Sequence, residues 1–506
     1  MLTLIVFIPL IAALVLLFVN KDDAGTIRTI SAGAAGLTFL ISLALLLRFD
    51  SSLQGMQFTE TLAWVPLFHI NYQVGVDGIS LWLVVLTAFI SLIAVFFSLD
   101  RQVGFRNFMA LLLALEAGTL GVFVALDLIL FYVFWELMLV PTYFLIGIWG
   151  EGRRVYATTK FVLYTLVGSL LMLLGIIWLG LIHFEATQQF SFDIQVLSHM
   201  KIDPADQVWL FLFFLSAFAI KIPIFPFHSW LPHAYISSPI PVLLLLTGVM
   251  SKAGAYGIIR FCLPLFPDAV DSFGLVIAFG AAAGIVYGAW IAIAQTDLKA
   301  LVAYSSISHL GFIALGIFAL NGEGIEGSVL QMVNHGIIAS ALFIIVGILE
   351  KKMGTRNLND FRGLGKAMPL LYGMFMLITL AALGLPGLNG FVGEFLILMG
   401  VWTSLVLADL SVIYVLMAGL AIVFASIYML YMFQGAMQEK NDKIPEGLTD
   451  INSREFGLLL PACILVVFIG LYPKPFIDRV SPSVESILTL EKNINLHAGE
   501  DKSGQH

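Results

Sequence analysis

Seven ionisable side chains stand out inside stretches that are otherwise apolar enough to cross a membrane: Glu116, Glu136, Lys221, Lys252, His309, His335 and Glu394. A charge at the bilayer centre costs roughly 2.5–3.5 kcal/mol even on the lenient insertion scale, so such residues face protein or water and mark ion paths. Their types suit proton transfer. Burial lowers a lysine's affinity for its proton and a nearby carboxylate restores it, so a buried Lys–Glu pair is a switch that releases a proton on opening. Imidazole passes protons in either direction near neutrality. Serines near His309, and Asn334 beside His335, offer hydrogen bonds between such groups. Neither histidine has a second ligand at i+3 or i+4, which argues against a metal site. Glu116 and Glu136 flank a short turn near Asp127, so two carboxylates at similar depth could share one site.

Lys221 carries a further signal. It sits in Ala219-Ile220-Lys221-Ile222-Pro223-Ile224-Phe225-Pro226, where two prolines interrupt an apolar run. Unsatisfied backbone is tolerated at membrane depth only where protein or a water-filled cavity can meet it. Gly384-Leu385-Pro386-Gly387-Leu388-Asn389-Gly390 makes a similar break just before Glu394.

The chain has 506 residues, 60% hydrophobic and 11% charged, against about 25% charged in soluble domains. Apolar runs recur near 3–20, 29–48, 78–98, 107–126, 129–149, 159–182, 207–227, 239–262, 273–294, 299–320, 327–349, 370–402, 411–435 and 456–474. The expected fold is therefore an all-α polytopic membrane protein of about fourteen transmembrane helices. One membrane domain, 1–475, precedes a polar tail, 476–506, that is expected to be disordered. Residues 50–76 suggest an external hairpin, and 183–206 a segment lying along the membrane surface.

Basic residues sort by loop. Lys21, Arg28, Arg101, Arg106, Arg153, Arg154, Lys299, Lys351, Lys352, Arg356, Arg362, Lys366, Lys440, Lys443 and Arg454 fall in odd-numbered loops, and the even loops hold little beyond Arg48 and Lys201. The positive-inside rule puts the odd loops in the cytoplasm and both termini outside. The N-terminus lacks the basic region of a signal peptide and reads as a retained first helix. Runs seven and twelve are both broken and lie five apart, so runs 4–8 (107–262) and 9–13 (273–435) would form two inverted five-helix repeats.

No phosphate-cradling or dinucleotide-binding motif is present. The two cysteines, Cys262 and Cys463, supply neither a disulfide framework nor an iron–sulfur cluster. The net charge of −8 suggests no nucleic-acid partner. Whatever drives ion movement is expected to come from a partner or a gradient.

Ordered motifs carry a resemblance. Asp77-Gly78-Ile79-Ser80-Leu81, Phe134-Trp135-Glu136-Leu137-Met138, Phe227-His228-Ser229-Trp230-Leu231-Pro232, Gln295-Thr296-Asp297-Leu298-Lys299, Ser308-His309-Leu310-Gly311 and Asn389-Gly390-Phe391-Val392-Gly393-Glu394-Phe395 occur in this order. Over nearly all of 1–475 the chain resembles the antiporter-like membrane subunits of respiratory complex I, NADH-quinone oxidoreductase, and is most similar to the subunit M branch. The resemblance implies a glutamate–lysine pair at Glu136 and Lys221, a central lysine at Lys252, connecting histidines at His309 and His335 in that order, and an exit-side carboxylate at Glu394. It implies a non-redox subunit of a proton-translocating NADH:quinone oxidoreductase in the bacterial cell membrane. Sister subunits L and N and small membrane subunits would be its partners. This chain would hold no cofactor, with FMN, iron–sulfur clusters, NADH and quinone on partner subunits.

One stretch departs. The family usually reads Asp-Ala-His after Trp230-Leu231-Pro232, and this chain has His233-Ala234-Tyr235. His233 is therefore a candidate to titrate in place of the missing acid. The alternatives are a subunit of a multi-subunit cation/proton antiporter, a complex I-like assembly with another electron donor, and a structural subunit with an unused polar axis.

Overall fold

A computed structural model describes residues 1–361, 363–438 and 447–503, with side chains described to Thr489. Arg362, Lys440 and Lys443, counted above among the odd-loop cations, lie outside the described residues, as do Gly504-Gln505-His506.

Twelve helices among the described residues are long and apolar enough to cross a membrane, and three shorter apolar ones accompany them: Leu2–Phe18, Pro369–Ala382 and Asn389–Thr403. Aspartates start many of them. Asp23, Asp77, Asp127, Asp203 and Asp297 each accept a backbone N–H of the first turn, which satisfies donors that a helix start leaves open.

The apolar run 207–227 becomes a helix that stops at Lys221. Proline has no N–H to continue the ladder, and Pro223 and Pro226 follow. A short helix, Leu231–Ser237, precedes Ile240–Leu265. The run 370–402 is two helices separated by residues 383–388, where Gly384 (φ 78°) and Gly387 (φ 92°) take left-handed backbone. Glycine adopts that conformation without the Cβ clash.

The centre is helical all round. Ile240–Leu265 and Gly322–Met353 are wholly buried over their apolar windows, and Leu298–Ile317 nearly so. A helix apolar on every side belongs inside a bundle. These three carry Lys252, His335 and His309. The outer helices are buried on one side only, for example Ser411–Met437.

Residues 57–76 form an antiparallel hairpin, strands Gln57–Val65 and Ile70–Val76, with Val65 opposite Ile70. Asn71 N donates to Asp127 Oδ2 (3.1 Å) and Gln73 Nε2 to Asp193 Oδ2 (2.9 Å). The hairpin is thus tied to the 125–127 turn and to the 183–206 segment, which holds only a short helix, Ile194–Leu197, between the ends of its flanking helices.

The tail departs from expectation. Residues 474–503 are helical, not disordered. Phe476, Val480, Val484 and Ile487 are buried, recurring every three or four residues as a helix face requires. Phe476 stacks on Trp82 (4.0 Å), and Gly78 N donates to Ser483 Oγ (3.0 Å).

Candidate functional site

A line of buried polar groups runs from Lys252 to Glu394. Lys252 Nζ donates to the Thr247 carbonyl, to Ser251 Oγ (3.4 Å) and to His335 Nδ1 (2.7 Å). The His335 and His309 rings are 5.7 Å apart. His309 Nδ1 contacts Glu394 Oε1 at 2.9 Å. All four residues are at most 8% exposed. The order in space is therefore Lys252, His335, His309, Glu394, which reverses the two histidines relative to the order expected from the sequence.

Lys252 sits between two π-helical turns, Leu246–Met250 and Ile258–Cys262. Such widened turns interrupt the regular ladder and recur at functional sites. An ammonium can only donate, so His335 Nδ1 accepts, and a neutral His335 then carries its proton on Nε2. That Nε2 is buried and has no hydrogen-bond partner. His335 can take a proton at one nitrogen and release one from the other.

The carboxylate end rests on the second break. Gln331 Nε2 donates to Glu394 Oε1 (3.3 Å), and Asn334 Nδ2 donates to the Asn389 carbonyl (2.7 Å). Gln331 and His335 are four residues apart and share a helix face. The Asn334 amide thereby ties its helix to the first residue of the helix that follows the break.

Lys221 lies at the other end, 2% exposed at the last position of its helix. Its ammonium sits over the rings of Trp135 (5.1 Å) and Phe161 (5.7 Å). Glu136 follows Trp135 on the same helix, yet Glu136 and Lys221 form no direct ion pair among the described residues. A lysine desolvated against two ring faces is held by cation–π attraction.

Gly254 joins this end to Lys252. A Cβ there would stand 2.5 Å from the Phe218 carbonyl oxygen, 2.7 Å from Ile222 N and 3.1 Å from Lys221 Cβ. Only glycine lets the Lys252 helix touch the broken backbone so closely. No direct hydrogen bond joins Lys221 and Lys252 among the described residues.

Two candidates stand apart. Glu116 is fully buried with both carboxyl oxygens unpartnered, so no hydrogen bond joins it to Glu136 among the described residues. His233 is exposed, its Nδ1 on the Ser229 carbonyl (3.0 Å) and its ring 5.2 Å from Tyr156. Its place on the outer side of a short helix keeps it off the polar line.

Sequence reasoning missed two ionic clusters. Arg260, 6% exposed, pairs with Asp77, 3% exposed. An arginine inside the run 239–262 was the available signal. Lys299, counted with the loop cations, is fully buried between Glu151 (3.3 Å) and Glu350 (3.2 Å). No group of three or more His, Cys, Asp or Glu side chains suited to a metal occurs among the described residues.

Comparisons with known proteins agree with this architecture. The profile of the NADH:quinone oxidoreductase/Mrp antiporter transmembrane family matches residues 125–424. NADH-quinone oxidoreductase subunit M of Rhodobacter capsulatus is 37% identical over 500 residues, covering 96% of each chain. A chain of respiratory complex I from Thermus thermophilus with bound NADH superposes with TM-score 0.87 at 30% identity, covering 97% of this chain and 100% of that one. A chain of the Mrp complex from a Dietzia species shares the fold at TM-score 0.84 and 22% identity, covering 98% of each. With its matched length, its identity to relatives and its ordered motifs, this chain belongs to the NADH:quinone oxidoreductase/Mrp antiporter transmembrane family.

Proposed function

We propose that this chain is a proton-translocating membrane-arm subunit of an NADH-quinone oxidoreductase. The observation that carries the reading is the buried contact series Lys252, His335, His309, Glu394, which joins four titratable groups across the interior of a membrane bundle. Lys221 over Trp135, the residue next to Glu136, and the Gly254 contact extend it toward the first broken helix. A change of charge at Glu136 alters how firmly Lys221 holds its proton. Lys252 passes its own proton to His335 Nδ1, His335 releases one from Nε2 toward His309 and Glu394, and the proton given up at Lys221 then reprotonates the neutral Lys252.

Each step moves only a proton, so the chain is a non-redox subunit; in this reading flavin, iron–sulfur clusters, NADH and quinone belong to partner subunits. Its neighbours are the sister subunits L and N and small membrane subunits, in the bacterial cell membrane. The basic residues of the odd loops support cytoplasmic placement of those loops and both termini outside. The two breaks support inverted repeats over 107–262 and 273–435, because each packs on a fully buried helix bearing a relay residue. Glu116 has no step in this route.

The test begins with the tagged native protein purified in mild detergent, assaying flavin, iron and NADH–quinone activity in the eluate. Co-purification followed by loss of NADH-driven pumping in an assembled Glu136→Gln variant is the expected result. Normal pumping by that variant overturns the assignment. Sodium/proton exchange without NADH, with no redox group retained, identifies a cation/proton antiporter instead.

A further inference from the structure

An apolar cleft of about 460 Å³ opens between helices Ala24–Arg48, Gly78–Ser98, Ser453–Leu471 and the start of Lys474–Ser503. Phe39 to Leu47 line one wall, about 12 Å of helix at 1.5 Å per residue. That is most of one leaflet, half of a hydrocarbon core roughly 30 Å thick. Val333 and Ile337 form part of its floor. They lie on one face of the helix that carries His335.

Two donors in the lining lack acceptors. Arg479 Nη1 donates to the Pro475 carbonyl (2.7 Å), but its Nε is buried without a partner. The adjacent Asp478 is taken by Lys474 (2.8 Å), and no carboxylate pairs with Arg479 among the described residues. Trp82 is 7% exposed, and its indole N–H is likewise buried and unpartnered. Natively buried polar groups are nearly always hydrogen-bonded, so an uncompensated cation and a free donor beside an apolar slot call for an acceptor-rich, anionic, chain-bearing molecule.

We propose that the cleft binds an anionic phospholipid, one acyl chain lying between the helices and the head-group oxygens meeting the half-buried Arg479 guanidinium. A long chain fits a leaflet-deep apolar slot, and a phosphodiester supplies the negative charge and acceptors that a guanidinium favours. The bound chain packs over Val333 and Ile337 of the His335 helix.

The test uses the full chain in whatever assembly it purifies with. The assembly is placed in discs of phosphatidylcholine carrying graded phosphatidylglycerol, and the lipid retained after detergent washing is counted by mass spectrometry. Arg479→Gln is expected to lose one retained phosphatidylglycerol per assembly, and Arg479→Lys to restore most of it. Leu43→Trp, which fills the slot, is expected to lose the same lipid while keeping the head-group site. Wild-type retention in both Arg479→Gln and Leu43→Trp overturns the proposal. So does release of a neighbouring subunit by Leu43→Trp, which would make a protein helix the occupant, or loss of a retained quinone in place of the phospholipid.

Discussion

Gly254→Ala tests whether close contact between the Lys252 helix and the Lys221 break matters for transport. The new Cβ would begin 2.5 Å from the Phe218 carbonyl oxygen, and ordinary contact starts at 3.4 Å, so the elements must part by roughly 0.9 Å. The obstacles are backbone atoms that cannot rotate aside. Overpacking of this kind costs about 1–3 kcal/mol, while alanine is favoured over glycine in a helix by about 1 kcal/mol. The net loss of stability is small, and assembly should survive. Transfer geometry is less forgiving, since a displacement near 1 Å can cost about 100-fold in a positioned reaction. The expected outcome in inverted membrane vesicles is normal assembly with proton pumping per NADH oxidised reduced by about tenfold or more. Gly373→Ala is the control, because a Cβ there meets nothing within 4 Å. If Gly254→Ala pumps as well as Gly373→Ala, the close approach of Gly254 to the Lys221 break is not needed for the route.

Asp77→Asn leaves the Arg260 guanidinium buried without its carboxylate, and breaking one side of a buried pair costs about 3–5 kcal/mol. Thermal stability of the purified assembly should fall, while pumping per assembled complex is unchanged; an undiminished melting temperature refutes the structural role. His233→Ala should leave the pH profile of pumping unmoved, because the ring is exposed and bound only to local groups. A shifted profile would return His233 to the path.

Much of this site was legible because membranes punish buried charge. Glu136, Lys221, Lys252 and Glu394 stand out against apolar neighbours whatever the fold, and the prolines after Lys221 mark where its helix must stop. Arg260 was equally visible and was passed over, since it lies eight residues beyond Lys252 in the same run. Lys299 misled for the opposite reason: its position near a helix start looks exposed, and only tertiary packing brings Glu151 and Glu350 to it. The tail hid its helix behind polar composition, although Phe476, Val480, Val484 and Ile487 repeat at helical spacing. Contacts that depend on which helices adjoin, such as Lys221 over Trp135, follow from no local pattern.

The order of the histidines is the sharpest case, because sequence order and spatial order give different assignments for the partner of Glu394. His335 sits on a long helix, Gly322–Met353, that packs against both the Lys252 helix and the second broken helix. A residue on it can therefore stand between Lys252 and anything beyond. His309 comes from Leu298–Ile317 and reaches Glu394 directly at 2.9 Å. Infrared difference spectra, with Glu394→Gln to identify the Glu394 carboxyl band, separate the two assignments. His309→Ala removes a hydrogen-bond partner of that carboxyl and should shift its band, whereas His335→Ala should leave the band in place while still blocking transfer from Lys252. A band moved by His335→Ala and untouched by His309→Ala would mean that protons follow the order of the sequence and not the contacts of the fold.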